Sequence, residues 1–479
     1  MALLIGWAMY WSLSPPDDQQ AASELARRQS ARERATLRQA SEGDADAQAD
    51  AAFDALVAAG KTQLVPEDLF VNPDPEGFWF VGKPDHDVGV QIPFAPGHQP
   101  RQGPDEPPIG ENPGFLGAAA CQQCHQERHD SFVHTAHHLT STPAKRETIS
   151  GSFQPGENQV STRSDDVSFE MLERDGRFFQ RVSFFDWKFE VPFDLVTGSS
   201  KMGQSYLYWH GDGLYQMNVS YLSGGAEEGG WVNSPGYVDG DAIYARPIGR
   251  RCLECHTTYA DVREPQNHFT PQSLILGISC ERCHGPGRDH VDFHQQHPQE
   301  RMGQHISNPQ TLTREQRLDI CGQCHSGVSR LKGNPYSFRP GDQISDHYHP
   351  IDEKLAGGVH TSNQQSRLSA SRCFQATEMT CTDCHNPHQN ERDRVDLFSQ
   401  RCLKCHETSH CGMADTVGPR ISDNCVDCHM PKRGSDKFWL KTNEGKVFPP
   451  LRDHHVRVDQ QATDAFLQRL NSDGADAEQ

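Results

Sequence analysis

The chain has 479 residues, of which only 35% are hydrophobic, with 31 Pro, 16 Cys and 26 His. Lys and Arg number 45 against 65 Asp and Glu, a formal net charge of −20. A mean hydropathy of −0.74 excludes a polytopic membrane protein, and the acidic balance argues against binding to nucleic acid or anionic lipid.

Residues 1–13 contain a 12-residue apolar run, Ala2 to Leu13 (ALLIGWAMYWSL), with no Lys or Arg before it. It is shorter than the ~20 residues that span a bilayer and lacks a small-residue cleavage site. It reads as the remainder of a signal anchor, the alternative being an apolar tag without a targeting role. Residues 14–61 follow Pro15-Pro16, are rich in Ala, Arg, Gln and acids, and are predicted to form a solvated helical stalk. Residues 62–114 are Pro- and Gly-rich, include His86 and His98, and are predicted to wrap over the surface.

A Cys-x-x-Cys-His motif comes next, at Cys121, Cys124 and His125, and 131 residues separate Cys121 from Cys252. Within that interval SFEMLERDGRFFQRVSFFDWKFEVPF alternates apolar and polar residues around Asp175-Gly176, a hairpin signature. A small antiparallel β insert is expected over residues 150–241. Six further motifs follow: Cys252/Cys255/His256, Cys280/Cys283/His284, Cys321/Cys324/His325, Cys381/Cys384/His385, Cys402/Cys405/His406 and Cys425/Cys428/His429. They start 28, 41, 60, 21 and 23 residues apart, which leaves room for one helix or loop each. Residues 459–479 hold a short amphipathic helix (ATDAFLQRL) in an acidic tail.

Fourteen of the 16 cysteines thus fall in seven copies of one motif, where random placement at this composition gives roughly 0.03 copies. The spacing is that of covalent haem attachment. Two thiols one short turn apart add to the two vinyl groups of a porphyrin, and the next His lies over the iron. Zinc ribbons do not require His after every second Cys, and a disulfide framework would not repeat one short loop seven times. The remaining Cys373 and Cys411 are predicted to form a disulfide, the alternative being two buried thiols.

Of the 26 His, 19 lie outside the motifs, enough for a second axial ligand on every iron. His137, His290, His388 and His454 sit in compact contexts and are the first candidates. His347, His349 and His360 come second, and His98, His210 and His268 third. Met430 adjoins His429 and cannot reach the far face of the same iron, while Met202 and Met217 read as core. Tyr206, Tyr208 and Trp209 read as packing within the β insert or against porphyrin edges. Arg250, Arg251, Arg282, Lys404, Lys432 and Arg433 are candidates to pair with propionates.

The phrases GAAACQQCHQERHDSFVHTAHHLTS, KMGQSYLYWHGDGLYQMNVSYL, WVNSPGY, CLECHTTY, GISCERCHGPGRDHV, SFRPGDQISD, SRCFQATEMTCTDCHNPH and CVDCHMPKR resemble multihaem c-type cytochromes related to the tetrahaem cytochrome of ammonia oxidisers. The likeness is to the group often joined to tetratricopeptide repeats, which are absent here. It covers residues 115–458, read as a heptahaem domain. It implies that His137, His290, His388 and His454 act as distal ligands. The fold expected is a multihaem cytochrome c with little regular structure, mainly short helices and loops around packed haems, beside a small antiparallel β subdomain.

Three functions compete: a periplasmic electron carrier, a multihaem oxidoreductase acting on a small nitrogen or sulfur oxyanion at one open haem, and a scaffold. The pentahaem nitrite reductases place Lys where the proximal His should be. All seven motifs here end in His, which favours the carrier. Haem attachment outside the cytoplasm implies export, with a possible membrane tether at the N-terminus. Two propionates per haem make the loaded protein more acidic still, so the partner expected is a redox protein with a basic docking face.

Overall fold

The computed structural model describes residues 65–74, 77–96, 112–223, 229–263, 267–327, 330–350, 358–434, 440–442, 445–447 and 450–476. The expected anchor and stalk, and His98, lie outside the described residues.

Strands begin inside the segment expected to be a bare wrap. β1 (Phe70–Pro73), β2 (Trp79–Gly82) and β3 (Gly89–Ile92) form an antiparallel meander. The first motif follows on α1 (Ala119–Phe132), and the chain then enters β4 (Ser141–Pro143). A second meander comprises β5 (Gln159–Ser161), β6 (Val167–Arg174), β7 (Arg177–Phe184) and β8 (Trp187–Phe193). Its β6–β7 turn is the expected Asp175-Gly176, both residues at positive φ (53° and 72°), which matches the right-handed twist of the flanking strands.

Next come β9 (Leu195–Thr197), β10 (Gly203–His210), β11 (Gly213–Gln216), β12 (Val219–Leu222), β13 (Gly230–Asn233) and β14 (Ala242–Ile243). β14 returns to pair parallel with β3, closing the first sheet, while β10 is the centre of an eight-stranded sheet. Burial alternates along β6 and β7 as the period-two pattern requires: Val167, Phe169 and Met171 on one strand, Phe178, Val182 and Phe184 on the other. These side chains join Tyr206, Tyr208 and Met217 in one large apolar core. Gln180 is fully buried within it, and its Oε1 accepts the Asn218 backbone N–H (3.0 Å).

The β part is therefore larger than the insert expected. It starts at Phe70 and its last short strand ends at Leu276. Pro and Gly in the wrap mark hairpin turns, and Phe70, Val71, Trp79, Phe80 and Val81 supply strand-forming side chains between them.

Beyond β14 helices become the main elements, with short strands between them up to Leu276 and again from Lys432 to Arg452: α2 (Arg250–Glu254), α3 (Glu281–His284), α4 (Arg288–Gln296), α5 (Arg314–His325), α6 (Val395–Cys402), α7 (Cys425–His429) and the longer α8 (Gln460–Asp476). Little apolar surface holds them together. The third core cluster has three buried residues, Ile320, Phe338 and Tyr348. A second cluster, with Leu207, Leu214, Leu253 and Phe269, fastens the second motif to the β part. Among the described residues no helix is long and apolar enough to cross a membrane.

Candidate functional site

All seven motifs, together with His137, His290, His388 and His454, line one continuous cavity of about 5210 Å³. A pocket for a single small ligand holds about 300–1,000 Å³, so the space matches several large cofactors side by side. The motifs sit on helical turns. The His284 N–H donates to the Cys280 carbonyl (2.9 Å), His385 to Cys381 (2.9 Å) and His406 to Cys402 (3.0 Å). Positions i, i+3 and i+4 share one helical face, which brings both thiols and the imidazole to the same side.

Four motif imidazoles face a second imidazole across the cavity. Ring centroids are 6.4 Å apart for His125 and His290, 6.2 Å for His325 and His137, 6.1 Å for His284 and His388, and 6.0 Å for His385 and His454. Two metal–imidazole bonds of about 2 Å, with about 1.2 Å from each Nε2 to its ring centre, span roughly 6.4 Å. Contact stacking of the two rings would bring them closer.

The other ring nitrogen is held as a ligand requires. Nδ1 of His284 lies 2.9 Å from the Ser307 carbonyl, that of His325 2.8 Å from Thr361, and that of His429 2.9 Å from Arg457. His290 and His454 do the same with Gln304 (2.7 Å) and Arg452 (3.2 Å). A donated Nδ1–H leaves the Nε2 lone pair for a metal. Burial pushes His137 and His454 down to about 4, so both are neutral at pH 7. Among the described residues no group of three or more His, Cys, Asp or Glu could hold a metal ion by itself. Paired imidazoles beside paired thiols suit a metal whose equatorial ligands come from a macrocycle.

His137 is positioned from the β part. The Ile278 N–H donates to its carbonyl (2.9 Å), and at neighbouring Gly277 (φ +69°) a Cβ would lie 2.1 Å from the His138 carbonyl oxygen. Three of the remaining candidates are engaged elsewhere. His268 bonds Asp212 (2.5 Å), His347 bonds Asp342 and Ser337, and His210 packs on Phe78. His360 Nδ1 contacts Ser362 (2.7 Å), outside the four facing pairs.

Cys373 and Cys411 are both free thiols, which corrects the disulfide expected. Of the cations, Arg251 is taken by Glu254 (2.7 Å) and Arg433 by Asp459. Arg282 and Arg317 line the cavity with a buried Nε that has no partner, as donors awaiting an anionic cofactor would. The carbonyls that hold Nδ1 carry no residue signature in the sequence, and Arg317 lies outside the motifs, where nothing in the sequence marks it.

A family model described as "Cytochrome c554 and c-prime" matches residues 241–285, which hold the second and third motifs. "Multiheme cytochrome MtrA" of Shewanella baltica (strain OS185) is 25% identical over 206 residues, 39% of this chain and 54% of that protein. "Dissimilatory sulfite reductase MccA" of Wolinella succinogenes is 20% identical over 385 residues, 66% of this chain and 50% of that one. The chain spans about half the length of these curated relatives. A solved structure, "Crystal Structure of Outer Cell Wall Cytochrome OcwA", has a TM-score of 0.42 at 16% identity, covering 74% of this chain and 81% of that one. Motifs and relatives together define the class, a multihaem c-type cytochrome. Its cofactor is haem c.

Proposed function

We propose that the chain is a periplasmic electron carrier with seven covalently attached haems, passing electrons between redox proteins. The single observation that carries this reading is the set of four imidazole pairs at 6.0–6.4 Å. Haem supplies a one-electron couple, and an imidazole on each side of iron leaves no position for substrate. The chain's own residues attach through the 14 motif thiols, orient Nε2 through Nδ1–H bonds, and offer Arg282 and Arg317 to propionates. The net charge of −20 supports a partner with a basic face. The likeness to the ammonia oxidisers' tetrahaem cytochrome supports the same role.

Seven haems per chain by pyridine haemochrome, with low-spin ferric signals for at least four, is the expected result. Fewer than seven haems, or bound zinc, would overturn it.

A second reading has its own observation. Among the described residues, His256, His406 and His429 face no second imidazole at the spacing of the four pairs, and one relative is named a sulfite reductase. An open iron there would make the chain an oxidoreductase for a small sulfur or nitrogen oxyanion. A stoichiometric high-spin signal with sulfite or nitrite turnover from a reduced dye would establish it.

A further inference from the structure

The fifth motif ends in a turn that carries two of the facing histidines. His385 closes the motif and faces His454, while His388, three residues on, faces His284 of the third motif. In both pairs the ring planes are near parallel, inclined by 24° and 22°. A backbone carbonyl holds Nδ1 of His284 and of His454, but among the described residues neither His385 nor His388 has such a contact. Their orientation must come from the turn itself and from what packs on it.

One ion pair ties that turn together. A Glu391 oxygen accepts the N–H of Asn386 (3.0 Å), which lies between the two histidines, and the Asn386 side-chain oxygen accepts the His388 N–H (3.1 Å). Arg401 Nη1 donates to the same Glu391 oxygen (2.7 Å) and to the Cys384 carbonyl (2.6 Å), one residue before His385. Its Nη2 donates to the other Glu391 oxygen. The Arg401 and Glu391 side chains are only 15% and 9% exposed.

Arg401 sits on α6 directly before Cys402, the first cysteine of the sixth motif. Phe398 of the same helix packs against the His385 ring (5.2 Å between centroids, 62°), with the Arg401 guanidinium 5.3 Å from the Phe398 centroid. The buried Ser399 hydroxyl accepts the N–H of Cys425, the first cysteine of the seventh motif (2.9 Å). One helix thus touches the fifth, sixth and seventh motifs, and the fifth reaches the third through His388.

A guanidinium fork on a carboxylate fixes direction as well as distance, and a pair little exposed to water is little screened. We propose that Glu391 and Arg401 are positioning residues for two irons at once, setting the ring planes of His385 and His388 as axial ligands of the fifth and third haems. Through α6 the same pair holds the sixth attachment site against the turn. The inference rests on haem occupying these motifs.

Electron paramagnetic resonance of the full haem-loaded chain, with haem counted in every sample, tests it. Near-parallel imidazole planes on a low-spin ferric haem give a rhombic signal, whereas steeply inclined planes give one strongly anisotropic feature at low field. The pairs of the first, third and fifth motifs are inclined by 19°, 22° and 24°, that of the fourth by 69°. Arg401→Gln and Glu391→Gln should each take two haem equivalents out of the rhombic signal and leave the low-field feature in place. The double substitution should go no further than either single one, because the two side chains act as a unit. Arg181→Gln, which breaks a partly buried pair with Glu190 in the β part, should leave the parent spectrum unchanged. A fully loaded Arg401→Gln protein with an unmoved rhombic signal overturns the proposal, as does a change confined to one haem or a double variant in which the two losses add. If one single variant fails to retain its haems, the other decides alone. Loss of haem from both would mark a role in folding and overturns the proposal too. A parent chain without low-spin haem would instead strike the carrier reading.

Discussion

His385 and His454 face each other with ring centroids 6.0 Å apart and planes inclined by 24°, although His385 closes the fifth motif and His454 lies beyond the last one. Each imidazole pair similarly joins distant stretches, so an axial site forms only when the whole motif region has folded. His454→Ala should convert one ferric haem from low-spin to high-spin with the number of attached haems unchanged. Electron paramagnetic resonance of the variant checks this, and a spectrum like that of the parent protein would remove His454 from the ligand set.

Asp453 holds that imidazole's loop. Its buried carboxylate accepts from Arg367 (2.8 Å), Arg457 (2.9 Å) and the His455 N–H (3.0 Å). Burial pushes the carboxyl up, but these donors outweigh it and leave its pKa lowered. With the folded value below the unfolded one of about 3.9, its contribution is fully present above pH ~4 and is lost as the pH falls through the folded value. Asp453→Asn should cost about 2 kcal/mol at pH 7. It should also flatten the acid side of a melting-temperature profile, and an unchanged slope below pH ~4 would count against this role.

Gly277 tests the link between the β part and the fourth motif. Any side chain there is strained by the positive φ and meets the His138 carbonyl, so Gly277→Ala should destabilise by about 1–3 kcal/mol. Because His137 faces His325, the same variant should raise the high-spin fraction. Gly156, also at positive φ but with nothing within 4 Å of its Cβ position, is the control for backbone strain alone.

The seven motifs that line the cavity and the four histidines that face motif imidazoles each carry a mark in the sequence, a short motif or a compact neighbourhood. Which motif each histidine faces was not legible, since His137 meets His325 and His388 meets His284 only through tertiary approach. The β6–β7 hairpin announced itself by alternation around Asp175-Gly176, whereas β1–β3 were masked by the Pro and Gly that make their turns. The disulfide failed for a related reason. Counting leftover cysteines says nothing of whether the fold brings the two sulfurs together, and neither is bridged.

Cys373 and Cys411 should therefore both take an alkylating label in denaturant without reductant. Mass spectrometry of the labelled chain reads this directly, and an unlabelled, disulfide-linked peptide pair would restore the bridge.

Removing haem separates the two halves of the molecule energetically. The β part has its own core, with 23 buried residues in one cluster, whereas among the described residues the apolar cluster of the motif region has three, of which only Ile320 lies on a motif helix. Burying an aromatic or branched side chain contributes about 1.5–3 kcal/mol, so the larger cluster can offset the ordering of its own strands. The motif helices depend on porphyrin faces for the same purpose. In a chain whose motif cysteines are replaced by serine, amides of β6, β7 and β8 should keep slow hydrogen exchange, while those of α5, α6 and α7 should exchange as in an unfolded chain. Protection surviving across α5–α7 would show that protein contacts alone hold the motif region. Loss of protection in β6–β8 would show that the β part, too, needs the cofactor.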